Sequence, residues 1–266
     1  MNNKNSEFVG RLLGKKVRSH MSGRILWTCV AVMSCLSVDV YAIDLMGPPT
    51  ATLEPLQFSL GLEYSHSEEN IQITDHGSIA LEKLNNVRRN TFFGKLGVGL
   101  LDNWECFFRV GTATLEANEI DFDASTDPPW GWGTKVTFYR SERIDLGALF
   151  QWSIFNGDEA GFLDAWGFNA REEIDIDEQH FAIGATVNMD GWRLYGGPFY
   201  YVFDGDVTIT PFGDPGNKIR PDVGEESLYG GYIGGQFDLG ATGSLAVEYI
   251  CTGEGWGVGL GLSRKF

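Results

Sequence analysis

The sequence predicts an all-β protein: an up-and-down antiparallel β-barrel of ten strands, eight and twelve being the neighbouring even counts, with its apolar side chains turned outward. Three observations carry this. Apolar residues recur with a period of two in ten separate stretches, the connections alternate short and long, and the face opposite the apolar one is built from glycine and charge. Composition excludes other classes. The 266 residues hold 20 Lys and Arg against 36 Asp and Glu, a formal charge of -16, whereas a nucleic-acid reader needs a basic face. Downstream of residue 42 no apolar run reaches the roughly 18 residues of a membrane helix.

Residues 1–42 read as an export signal. Lys4, Arg11, Lys15, Lys16, Arg18 and Arg24 precede the apolar stretch Ile25 to Leu36, which leads into the small-residue cleavage pattern Val40-Tyr41-Ala42. The mature chain is therefore expected to begin near Ile43. Met21 would start a signal of ordinary length by itself, so residues 1–20 are either an upstream extension or a start placed too early. A competing lipidation motif at Val32-Met33-Ser34-Cys35 departs from its pattern at Met33. Processing would remove six basic and two acidic residues, leaving a formal charge of -20.

The strands follow in order. Leu56, Phe58, Leu60, Leu62 and Tyr64 share one parity; Gln57, Ser59, Gly61, Glu63 and Ser65 share the other. The pattern returns in Arg89 to Leu100, Trp104 to Leu115, Trp130 to Arg140, Ile144 to Phe155, Glu178 to Met189, Trp192 to Phe203, Leu228 to Phe237, Ser244 to Thr252 and Trp256 to Phe266. Short links fall at 101–103, 141–143, 190–191 and 238–243, and long loops near 66–88, 116–129, 156–177 and 204–227; only the last hairpin, at 253–255, breaks the alternation. Short turns on one rim and long loops on the other suit neighbouring strands paired as hairpins around a barrel.

A soluble sandwich would alternate too, so the small face decides. Gly61, Gly97, Gly99, Gly111, Gly131, Gly133, Gly147, Gly184, Gly197, Gly257, Gly259 and Gly261 share it with charged and hydroxyl side chains, a poor hydrophobic core. The apolar parity then faces an oily exterior. Outward aromatics gather at strand ends, with Trp104, Phe138, Trp192, Phe237 and Phe266 near the short turns and Tyr64, Phe92, Trp130, Trp132, Trp152, Tyr200 and Trp256 near the loops. These are two interfacial girdles.

The last strand carries Trp256, Val258, Leu260 and Leu262 and ends in Phe266, and it resembles the C-terminal membrane-insertion signal of bacterial outer-membrane proteins, with Arg264 where a hydrophobic residue is usual. As an architecture the chain resembles the small OmpA- and OmpX-like barrels, although no peptidoglycan-binding domain follows Phe266. The resemblance implies residence in the outer membrane of a Gram-negative-type cell among lipid and lipopolysaccharide, with periplasmic chaperones and the barrel-assembly machinery as partners and no cofactor. Residues 43–55 are then a periplasmic N-terminal linker and residues 56–266 the barrel.

The inward parity places eight charges in the lumen: Glu63, Lys95, Glu105, Arg109, Lys135, Asp145, Arg193 and Glu248. Lys95, Arg109 and Lys135 lie at similar depth on the second, third and fourth strands, and Glu248 and Glu63 at similar depth on the ninth and first. A mid-barrel salt-bridge cluster is expected, because an unpaired charge in a narrow lumen costs several kcal/mol. Such a cluster plugs the barrel, which suits a structural or surface-interacting role; the alternative is a small gated or weakly selective porin-like channel. A third class is an omptin-like hydrolase. Omptins resemble this chain in strand number and carry acid and His groups at the outer rim, and His180 lies beside Asp177 and Glu178. No stretch matches the omptin catalytic pairs, so His180 is expected to be a hydrogen-bonded wall histidine, and no catalytic residue is assigned. His66 and His76 are expected in a polar loop.

The long loops are acidic, as in Glu116 to Asp127 and Asp158 to Asp177, which suits a solvated, self-repelling surface. Asp121, Asp123 and Asp127 alternate as in a calcium loop but lack its central Gly and closing Glu, so they mark only a candidate for divalent-ion binding beside lipopolysaccharide. Phe162, Trp166 and Phe168 are available to pack on the barrel mouth or to meet an extracellular ligand. Cys106 and Cys251 face outward on strands far apart around the wall and are expected to stay unpaired.

Overall fold

The computed structural model describes residues 44–73, 83–117, 122–125, 127–163, 168–211, 218, 222–224, 229–253 and 255–266. The strands are β1 (Phe58–Ile73), β2 (Lys83–Leu101), β3 (Trp104–Ala117), β4 (Phe122–Ser125), β5 (Trp130–Arg140), β6 (Ile144–Leu163), β7 (Phe168–Met189), β8 (Trp192–Pro211), β9 (Asp222–Gly224), β10 (Tyr229–Leu239), β11 (Gly243–Thr252) and β12 (Gly255–Lys265). Short β4 and β9 pair at the ends of longer neighbours. The other ten form a closed transmembrane antiparallel barrel, β12 pairing back onto β1 from Ser59↔Lys265 to Glu69↔Gly255. Closure leaves no strand edge whose N–H and C=O groups would go unpaired in hydrocarbon.

The period of two sorts the wall as its pattern requires. Leu60 is 55% and Leu62 50% exposed on the outside, whereas Glu63 between β1's apolar positions is 9% exposed and turned inward. The inward face holds more than glycine and charge. Phe93, Phe107, Phe155, Tyr195, Phe199, Tyr201, Phe203 and Tyr232 are all buried inside the barrel. Phe93 and Phe107 each adjoin an outward phenylalanine, Phe92 and Phe108, so both parities carry a ring at those places.

Two expectations need correction. The long loops are in large part strand: β1 and β2 stay paired to Gln72↔Lys83, β6 and β7 to Leu163↔Phe168, and β7 and β8 to Ala170↔Pro211. A long antiparallel hairpin keeps satisfying its backbone N–H and C=O groups beyond the apolar belt, and only its side chains change character. His66 accordingly sits on β1, its Nδ1 2.8 Å from Asn90 Oδ1, while His76 lies outside the described residues.

The second correction concerns the expected linker. Residues 44–53 lie inside the barrel rather than outside it, touching β3, β5, β7, β11 and β12 around its circumference, and only Glu54 and Pro55 at its end are exposed. The chain then reverses at Leu56, whose φ of 62° is left-handed, and Leu56 N–H donates to Gly99 O at 2.8 Å as β1 begins.

Candidate functional site

The lumen holds the buried polar groups, and the N-terminal segment organises them. That segment has no strand partner, so its backbone donors must find acceptors on the wall. Glu248 of β11 supplies two: Oε1 accepts from Met46 N–H and Oε2 from Gly47 N–H, each at 2.8 Å. Gly47 has a φ of 72°, the left-handed backbone that glycine tolerates, and this turn aims both N–H groups at one carboxylate. Glu105 of β3 repeats the device, its Oε2 accepting from Thr52 N–H at 2.6 Å and Leu53 N–H at 3.1 Å. Between them, Thr50 Oγ1 lies 2.8 Å from Thr186 Oγ1, Ala51 N–H donates to Thr137 Oγ1 at 2.9 Å, and Lys265 Nζ donates to Thr52 O at 2.6 Å.

At the inner end of the segment, Asp44 enters a fully buried ionic layer. Its Oδ2 is 2.7 Å from Arg109 Nη2 and its Oδ1 is 3.7 Å from Arg89 Nη2. Arg89 also grips Glu178 of β7 through both terminal nitrogens, and Tyr201 donates to the same carboxylate at 3.4 Å. Arg109 further donates to Ser153, and to the Gln151 carbonyl at 2.9 and 3.2 Å when that amide faces it. Two cations thus meet two anions, which a low-dielectric interior demands. Burial acts to raise the Asp44 carboxyl, but Arg109 and Arg89 beside it hold it below the usual carboxylate range. The rings contribute as well: the Arg89 guanidinium lies 4.5 Å from the Phe155 centroid and that of Arg109 4.5 Å from Phe93.

Two residues loopward of this layer on their own strands stand Val87, Phe155, Ile176 and Phe203, all buried in one apolar cluster. They follow Arg89, Ser153, Glu178 and Tyr201 by the two-residue period, so an apolar tier covers the ionic one.

The eight lumen charges named from the sequence all sit on the inward parity but do not meet as one cluster. Glu63 and Lys95 pair at 2.7 Å, and Glu105 and Lys135 at 3.8 Å. Arg109 joins Asp44, and Glu248 holds backbone N–H groups rather than a lysine. Asp145 accepts from Asn188 at 3.0 Å, and Arg193 is 3.7 Å from Asp238, both toward the short-turn rim. Phe107 stands between the two lysines, its centroid 4.1 Å from Lys95 Nζ and 5.7 Å from Lys135 Nζ. Sequence reasoning missed Asp44, which lies in a presumed linker without a periodic signal, and Arg89, which shares the parity of Lys95 but stands at the first position of its predicted strand.

His180 corrects another expectation. It is 0% exposed, stacked on Tyr201 at 4.7 Å, and among the described residues neither ring nitrogen has a hydrogen-bond partner. It is an enclosed ring, not a rim group open to a substrate. Of the candidate cation ligands, Asp121 lies outside the described residues, Asp123 pairs on β4 with Glu116, and Asp127 is exposed with its N–H on Asn156 O at 2.7 Å. Among the described residues no group of three ligating side chains could hold a metal. On the terminal strand, Leu260, Leu262 and Phe266 are exposed on the outer face, and Trp256 and Val258, half-buried, share their parity.

No family model matches the sequence, and no curated protein is similar to it in sequence. Solved structures similar to the chain include the translocator domain of the autotransporter NalP from Neisseria meningitidis, with a TM-score of 0.47 and 12% identity over 94% of this chain and 95% of that one. The outer-membrane protease OmpT from Escherichia coli gives a TM-score of 0.42 and 11% identity over 84% and 98% of the two chains. The COG4313 outer-membrane channel from Pseudomonas putida F1 gives 0.41 and 13% over 85% and 100%.

Proposed function

We propose that the chain is an integral outer-membrane β-barrel whose lumen is closed by its own N-terminal segment and the lumen charges, and that it serves a structural or surface-interacting role. One observation carries the reading: residues 44–53 are held inside the barrel by hydrogen bonds from opposite walls, with Glu248 and Glu105 each accepting two successive backbone N–H groups. Export by the signal at 1–42, insertion through the strand ending at Phe266, and contact with lipopolysaccharide and chaperones belong to the same reading. Reconstituted in a planar bilayer, the folded protein should stay electrically silent, with folding scored by heat-modifiable gel mobility. Steady current from the wild-type barrel would overturn closure.

The gated-channel alternative has one observation in its favour. The segment forms no strand and is tied by side-chain acceptors that can be removed singly. A Glu105→Ala, Glu248→Ala double variant that keeps its heat-modifiable mobility should conduct; a silent double variant would remove this alternative.

A further inference from the structure

The outer wall of the barrel is interrupted on β2. Phe92 and Leu96 cover the apolar face on either side of Gly94, where a side chain is missing. A Cβ built there would meet a single neighbour, Val110 O at 3.6 Å, so the position opens onto free space. The resulting groove is shallow and open on its outer side, with a volume of about 660 Å³, Gly94 as its floor, Leu60, Leu62, Phe108 and Leu262 among its walls, and Arg264 at its edge. That volume is in the range of about 300–1,000 Å³ that small-ligand sites occupy.

Arg264 gives the groove a polarity. It is exposed on the outer parity of β12, opposite Leu60, and its guanidinium lies 5.3 Å from the ring of Phe266. Phe58, Trp104, Phe138 and Phe266 expose their rings along this short-turn end, the level at which amphipathic rings meet lipid headgroups. A cation at headgroup level beside an apolar channel in the hydrocarbon belt matches a molecule with an anionic phosphate and a long chain. A strand interior gains nothing from glycine on its own account.

We infer that this groove is a phospholipid site, seating one acyl chain over Gly94 and the phosphate against Arg264. The inference rests on the membrane placement of the barrel and goes beyond closure of the lumen. Residence of the lipid would fill a defect that bulk chains fill only transiently.

The test uses native mass spectrometry of the detergent-purified protein titrated with palmitoyl-oleoyl-phosphatidylglycerol, with the matching diacylglycerol and inorganic phosphate as separate arms. The wild type should retain one phosphatidylglycerol. Arg264→Gln should weaken that retention about tenfold while leaving diacylglycerol unchanged, since a charged hydrogen bond is lost. Gly94→Leu, which fills the floor, should weaken both lipids; Gly94→Ala, which the 3.6 Å clearance admits, should weaken them less. Heat-modifiable mobility identifies any variant that fails to form the barrel and so separates misfolding from loss of the site. Equal retention by all folded forms, retention of free phosphate alone, or a dimer lost on filling Gly94 would overturn the proposal.

Discussion

Asp44 and Arg109 form an ion pair at 2.7 Å in the middle of the barrel, one residue on a segment without strand partners and the other on β3. Both side chains are almost wholly buried, so neither charge has water to turn to. Asp44→Ala therefore leaves Arg109 short of an anion and is expected to cost about 3–5 kcal/mol. Asp44→Asn, which keeps the shape and one acceptor oxygen, should cost less. The urea midpoint of the heat-modifiable band measures both.

The same carboxyl makes stability depend on pH in a defined direction. Asp44 is held below its ordinary value of 3.8, so its contribution is complete above that value and is lost as pH falls through the lower folded value. The wild type should then keep its midpoint from neutrality down to about pH 4 with respect to this group. Below that, the difference between wild type and Asp44→Asn should shrink. A difference that stays constant into strong acid would show that Asp44 is not charged in the folded barrel.

The seating of the segment can be locked covalently. Thr50 Oγ1 and Thr186 Oγ1 approach to 2.8 Å across the lumen. Replacing both by cysteine is expected to bring two thiols within bridging range. The double variant should form a disulfide on oxidation, detected as a loss of two hydrogens in the intact mass and as faster mobility on a non-reducing gel. Cys106 and Cys251, free and on separate strands, should remain open to alkylation in the same sample.

The wall of this barrel was legible because a strand writes its orientation into sequence every second residue: Leu60 and Leu62 outward, Gly61 and Glu63 inward. The strand number and the inward placement of Lys95, Arg109, Lys135 and Glu248 followed from that period alone. The contents of the lumen were not legible. Met46, Gly47, Thr52 and Leu53 bind through backbone N–H groups, which every residue but proline carries, so no side-chain pattern announces them. Phe93 and Phe107 were hidden by the rings next to them, and the absence of a hydrogen-bond partner for His180 among the described residues depends on which strands face it across the barrel.

Gly259 offers a way to disturb the segment without touching a charge. A Cβ there would come within 2.6 Å of Leu45 Cδ1 and 3.1 Å of Leu45 Cβ, so the strand carries glycine where the segment packs. Gly259→Val should push Leu45 aside at a cost of about 1–3 kcal/mol, as overpacked sites do. Combining it with Leu45→Ala should recover part of the loss, measured by the same urea midpoint. No recovery would mean that the two residues are not in contact.

Phe107 separates two ammonium groups and is stabilised by both. Its centroid is 4.1 Å from Lys95 Nζ and 5.7 Å from Lys135 Nζ, and Gly133 leaves it room, since a Cβ there would collide with the ring. Truncation to Ala removes a buried aromatic, which by itself costs about 3–5 kcal/mol. The attraction between ring and cation is a separate quantity, isolated by a double-mutant cycle with Lys95→Met. In this partly desolvated site the cycle should return a favourable coupling of about 1–2 kcal/mol. Lys95 keeps its 2.7 Å bridge to Glu63 when the ring is truncated, so that bridge cancels within the cycle. A coupling near zero would reduce Phe107 to packing alone.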